Sequence, residues 1–116
     1  MKLQFGNQSK SYLALLARYA NNSFKAFSYE RITVDGTVKN LTIPDGAKYA
    51  LMVLESDVTG VAARYLETLQ TTVTADFGLP IENGSGLDVT DTQNLSQFQI
   101  TQAQAGTHYL HVQYYK

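Results

Sequence analysis

Two histidines stand three residues apart in the closing segment THYLHVQYYK, and they are the only histidines in a chain that has no cysteine. Imidazole is the usual proton shuttle near neutral pH and a common metal ligand. The same spacing on a helix would bring both rings to one face. The surrounding residues favour a strand instead, with His108, Leu110, Val112 and Tyr114 on one side and Tyr109, His111, Gln113 and Tyr115 on the other. Imidazoles on opposite faces cannot share an ion, and no third ligand lies nearby in sequence. The chain therefore implies no metal site and no cofactor.

Other chemistry is equally sparse. The ten acidic residues are scattered singly, and neither histidine has an acidic partner that the sequence identifies. DVTD, residues 88–91, lacks the dense oxygen-ligand spacing of a calcium loop. GLPIENGSG has glycines but no lysine and no following helix, so it is not a phosphate loop, and no serine sits in a G-x-S-x-G elbow. The aromatic content says more: eight Tyr and five Phe without Trp. Tyr109 and Tyr115 are candidate surface aromatics that could contact a sugar ring or a protein, because a phenol has an apolar face and a polar tip. Cross-strand packing inside a sheet would explain the same residues.

The elements that would position these groups are mostly strands. The 116 residues fit one domain. Hydrophobic residues make up 44% and charged residues only 16%, with uncharged polar side chains filling the difference, a balance that suits β-structure and protein contact. A formal charge of −1 without a basic run argues against nucleic-acid binding. No segment approaches the roughly 20 apolar residues of a membrane span, and the start of the chain lacks a signal-peptide core.

From Ser9 to Ala20, the residues Tyr12, Leu15, Leu16 and Tyr19 recur at i, i+3, i+4 and i+7, which predicts a short amphipathic helix within an N-terminal arm, residues 1–25. Its stripe could pack on the domain itself or make the contact with a partner subunit. From residue 26 to 116 the period falls to two. FKAFSYERITV alternates and ends at an Asp35–Gly36 turn, VKNLTI is a short strand, and KYALMVLES reads as a strand buried on both faces. VAARYLETL fits strand or helix, with strand preferred. QTTVTA is predicted as a strand, FGLPIENGSG as a loop, and LDVT, LSQFQIT and THYLHVQYY as the last strands. About eight short strands imply an all-β fold, an antiparallel β-sandwich of jelly-roll type with a short N-terminal helix.

The order of these segments resembles a group of small virion proteins of tailed bacteriophages. In that group a P-x-GA turn leads into a buried strand, followed by an arginine-bearing strand and a G-x-P-(I/L)-x-x-G loop. A strand L-x-x-F-x-(I/V) comes next, and the chain closes on L-x-V-x-Y-Y. The matching positions are Pro44, Gly46, Ala47, Arg64, Gly78, Pro80, Gly84, Leu95, Phe98, Ile100, Leu110, Val112, Tyr114 and Tyr115, within residues 41 to 116. Members often carry an Asp-Gly turn soon after the arginine strand, where this chain has ETLQTTVTAD. The resemblance implies a non-enzymatic virion protein, a capsid decoration or head-fibre subunit, assembled in the host cytoplasm. Its partners would be further copies of itself and other virion proteins such as the major capsid protein. A carbohydrate-binding β-sandwich module is the alternative that the tyrosines suggest.

Overall fold

The computed structural model describes residues 25–116. The expected helix and its stripe, Tyr12, Leu15, Leu16 and Tyr19, lie outside the described residues. Within them the chain is all-β. Eight strands follow in order: β1 (Ala26–Val34), β2 (Lys39–Asn40), β3 (Tyr49–Ser56), β4 (Val61–Leu66), β5 (Leu79–Glu82), β6 (Gly86–Thr90), β7 (Gln99–Gln102) and β8 (His108–Tyr115). A single helical turn, Thr92–Ser96, sits between β6 and β7.

The strands form two four-stranded antiparallel sheets. The first has the order β1-β8-β3-β6, and the second β2-β7-β4-β5. The pairings β1 with β8, β2 with β7, β3 with β6 and β4 with β5 are those of one long hairpin folded over. Two more, β3 with β8 and β4 with β7, join the halves into sheets. The inner faces meet in a sandwich-like core of Ile32, Val34, Ala50, Met52, Leu54, Phe98, Ile100, Leu110, Val112 and Tyr114 with their neighbours. Alternation along β8 and β1 produces this face directly: Leu110 stands opposite Ile32 on one side and Leu54 on the other. On the inner face of the second sheet, the ring of Phe98, just before β7, stacks on Tyr65 of the neighbouring β4 with centroids 5.7 Å apart.

The preferred strand reading of residues 61–69 holds for Val61–Leu66, and residues 67–69 lie beyond the strand. Three other expectations are corrected. QTTVTA is not a strand; it contributes only one bridge, Thr74 to Phe77. Its backbone partner is a side chain: buried Gln99 accepts from the Val73 N–H at 3.0 Å and donates to the Thr68 and Thr71 carbonyls. FGLPIENGSG is not all loop, because Leu79–Glu82 pairs with β4 at the edge of the second sheet. Pro80 is tolerated there because an edge strand can spare one N–H. Leu95 belongs to the helical turn rather than to β7, yet it reaches the core as an anchor residue should. Asp91 opens that turn at φ 82°, with its carboxylate accepting from the Gln93 N–H at 2.9 Å. Asp91→Ala is expected to cost about 1 kcal/mol, as loss of such a cap usually does, seen as a lower urea midpoint.

Edge strand β1 carries a carboxylate on its inner side. Glu30 lies in register with Val112 and accepts hydrogen bonds from the Tyr114 hydroxyl and from the Thr42 N–H at 2.9 Å. Burial, then the Glu30 hydrogen bond and charge, push the Tyr114 phenol far above its ordinary pKa, so it stays protonated and donating throughout the physiological range. An inward charge also discourages another strand from adding to β1. Tyr114→Phe leaves Glu30 with one donor fewer and is expected to cost roughly 1–3 kcal/mol in a denaturant titration.

Candidate functional site

The strongest concentration of polar and aromatic groups lies on the outer face of the first sheet. Register places Tyr29 beside Gln113 and Leu51, then Arg31 beside His111 and Val53, then Thr33 beside Tyr109 and Glu55. Outward alternation on β1, β8 and β3 brings all of these side chains to one side.

His111 links three strands. Its Nε2 is 2.8 Å from Glu55 Oε1, and its Nδ1 is 2.6 Å from the Tyr29 hydroxyl. A carboxylate can only accept, so the Nε2–H donates to Glu55 and Nδ1 accepts from the phenol. The Tyr29 ring lies nearly parallel to the imidazole, with centroids 6.0 Å apart. One step along, the Arg31 guanidinium lies over the Tyr109 ring at 4.4 Å. A Tyr–His–Glu relay of this kind can shift a proton in principle. Here Tyr29 is 58% exposed and the Glu55 side chain 64%, so water competes for every bond. The adjoining cleft, about 80 Å³, is far below the few hundred Å³ of an ordinary small-molecule site. His111→Gln is expected to change stability by no more than about 0.5–1 kcal/mol in thermal melts, as is usual for exposed pairs.

The other histidine is structural. His108 is 1% exposed on the inner side of β8. Its Nε2–H donates to the Gln104 carbonyl at 2.8 Å, and its Nδ1 accepts from the Ser56 hydroxyl at 2.8 Å. Ser56 Oγ in turn accepts from the Val58 N–H at 3.1 Å. Every polar atom of the imidazole is satisfied, and the ring closes one end of the sandwich. The two histidines do point to opposite faces, as the alternation predicted. The acidic partner of His111 leaves no local trace, because Glu55 lies 56 residues away.

Tyr109 is half-buried beneath Arg31, and Tyr115 is only 6% exposed, so Tyr115 is not a surface aromatic. Its ring meets Tyr49 edge-on with centroids 6.4 Å apart. Tyr29, Arg31, Glu55 and Gln113 were missed as members of a site. Alternation could place each on a face, but only the register places them side by side. Among the described residues no three metal-ligating side chains converge. A cleft of about 400 Å³ beside Val73 and Gln102 is lined by no ionisable side chain.

Scans against family models, curated proteins and solved structures return no match. No helix among the described residues is long and apolar enough to cross a membrane.

Elsewhere, Glu67 follows β4, and burial, then the nearby Asp88 charge, holds its carboxyl above the ordinary range. Tyr65 is pushed up by burial, then by Glu67 and Asp88. A carboxyl with a raised folded pKa binds its proton more tightly in the folded state. Its ionisation therefore removes stability as pH rises from the unfolded value of about 4.3 through the folded one. Glu67→Gln is expected to flatten this part of the slope and to be more stable than the unmodified chain at neutral pH. Urea titrations at mildly acidic and at neutral pH measure it, and equal slopes in both proteins would refute the assignment.

Proposed function

We propose that this chain is a non-enzymatic structural protein of a tailed-bacteriophage virion, a capsid decoration or head-fibre subunit that works through repeated protein–protein contacts. The observation that carries the reading is the strand order. With β1-β8-β3-β6 in one sheet and β2-β7-β4-β5 in the other, the folded long hairpin supports a jelly-roll reading, an architecture that viral capsid proteins and lectins share.

The positions of the virion-protein resemblance support it, since they fall on the joints and core of this fold. Ala47 donates to the Pro44 carbonyl, closing the turn before β3, and Gly46 has φ 88°. Arg64 donates to the Ala75 and Gly78 carbonyls, each at 3.0 Å, and so ties the long connection after β4 to that strand. Phe98, Ile100, Leu110, Val112 and Tyr114 fill the core.

The outer face of the first sheet favours the virion reading over the carbohydrate-binding one. A sugar platform needs open aromatic rings in a row. On that face Tyr115 is buried, Tyr109 is covered by Arg31, and Tyr29 leans on His111. Apolar side chains are instead exposed near the free edge of the second sheet, with Phe77 at 56% and Leu79 at 51%. Such groups suit contact with a further copy or with the major capsid protein.

Antibody against the chain, applied to intact particles, is expected to label heads at many sites in electron micrographs; unlabelled particles would sink the proposal. Hits on a glycan array would favour the carbohydrate alternative. Replacing Phe77 and Leu79 together by serine is expected to weaken self-association or shell binding at least about tenfold while Tm moves little, because both side chains are already solvated. Light scattering and co-sedimentation measure this.

A further inference from the structure

Three dipeptides in the chain set a side-chain carbonyl beside a glycine: Asp35–Gly36, Asp45–Gly46 and Asn83–Gly84. Glycine has no Cβ to shield its backbone nitrogen, so that nitrogen can attack the preceding Cγ and close a succinimide ring. Asparagine loses ammonia in this step, and aspartic acid loses water. Water then reopens the ring, and its attack at the main-chain carbonyl leaves an isoaspartyl bond, in which the backbone runs through Cβ. An amide is a better electrophile than an ionised carboxylate, so Asn83 reacts first in an unfolded chain.

The fold reverses this order. Asn83 and Gly84 are exposed, yet both reacting groups are held. Asn83 Oδ1 accepts from the Ser56 N–H at 2.9 Å, which fixes the amide against β3, and the Gly84 N–H donates to the Leu54 carbonyl at 2.7 Å. Reaction there must wait until this end of the β3–β6 ladder opens. Asp35 is restrained as well. Its Oδ1 accepts from the Thr37 N–H at 2.9 Å, and its Oδ2 lies 3.6 Å from Lys39 Nζ. The Thr37 bond, helped by the Lys39 charge, keeps that carboxyl below the ordinary range and so in its unreactive ionised form.

Asp45 has no such restraint. With Gly46 it forms the exposed corner of the turn that the Ala47 N–H closes onto the Pro44 carbonyl at 3.2 Å. Among the described residues, neither its carboxylate nor the Gly46 N–H has a hydrogen-bond partner. We infer that Asp45 is the site at which the folded chain forms succinimide and isoaspartate, ahead of Asn83 and Asp35. The Gly46 nitrogen bonds to Asp45 Cγ, the carboxyl hydroxyl and the amide proton leave as water, and one water returns when the ring opens. The product inserts a methylene into the main chain just ahead of buried Ala47 and of β3, the strand between β8 and β6. Whatever the domain attaches to, this ageing follows from the chain itself.

The full-length Asp45→Asn variant tests it, because that chain carries two Asn–Gly dipeptides of equal intrinsic chemistry. Asparagine suits an exposed turn, so the fold is expected to be retained. In neutral buffer, ammonia loss read by peptide mass spectrometry is expected at least about tenfold faster at residue 45 than at Asn83, and at similar rates in denaturing guanidinium chloride. Similar rates in the folded variant overturn the assignment. In the unmodified chain, aged for weeks, isoaspartate is expected to be greatest in the peptide containing Asp45. Asp45→Glu, whose longer side chain would have to close a larger ring, is expected to lack it. More product at Asp35 or Asn83 than at Asp45, none at Asp45, or persistence in Asp45→Glu overturns the proposal.

Discussion

Gln99→Leu is expected to lower the unfolding free energy by roughly 2–4 kcal/mol, although leucine nearly matches glutamine in size. Gln99 is 3% exposed, and its amide makes three hydrogen bonds to the backbone of the connection between β4 and β5. The N–H of Val73, a residue 1% exposed, loses its acceptor in the variant, and a buried donor without a partner costs its full desolvation. The Thr68 and Thr71 carbonyls lie nearer solvent and contribute less. Urea unfolding measures the total, and limited proteolysis should find new cleavage between residues 67 and 76. A loss below about 0.5 kcal/mol would mean that water replaces the amide without cost.

Gly78→Ala strikes the same connection from the other side, with an expected cost of about 2–4 kcal/mol. Gly78 has φ +140°, which disfavours any side chain. An added Cβ would also lie 2.7 Å from Val73 Cγ2, 3.2 Å from Arg64 Cβ and 3.3 Å from the Tyr65 carbonyl oxygen. Backbone cannot move aside cheaply, and Val73 has little rotamer freedom. Because Gln99 and Gly78 both act on Val73, the two substitutions should not add. Gly78→Ala should also cost less in a Val73→Ala background, where the closest contact is gone. Equal costs in both backgrounds would place the strain elsewhere.

This connection also shows where sequence reasoning fails. β1 and β8 were legible because one side of each meets the core and the alternation records it, as Ile32 and Val34 do against Glu30's outward neighbours Tyr29 and Arg31, and β3 was legible as an unbroken apolar run. QTTVTA has the same β-branched character, but its backbone bonds to a glutamine side chain 26 residues away at Val73. No local pattern records that. Leu79–Glu82 was hidden for the opposite reason: an edge strand tolerates Gly, Pro and Asn around it, so its pairing with β4 left no periodic trace. The candidate site followed the same rule. The faces of His108 and His111 were legible, whereas the Tyr29–His111–Glu55 contact depends on register between three strands. The burial of Tyr115 depends on position within a face and not on alternation, which put it correctly on the outer side.

The pairing of first strand with last also bears on how the chain reaches this structure. The bond from Tyr114 to Glu30 joins residues 84 positions apart, and β8 supplies a central strand of the first sheet. Closing so large a loop loses entropy before any contact is gained, so folding should be slow for a domain of this size. During synthesis β1 must wait without any strand partner, and β3 unpaired along one side, until β8 has been made. Removing only the last strand should accordingly leave an insoluble remnant rather than a smaller fold, and a chaperone that shields exposed strands should raise the yield of the complete chain.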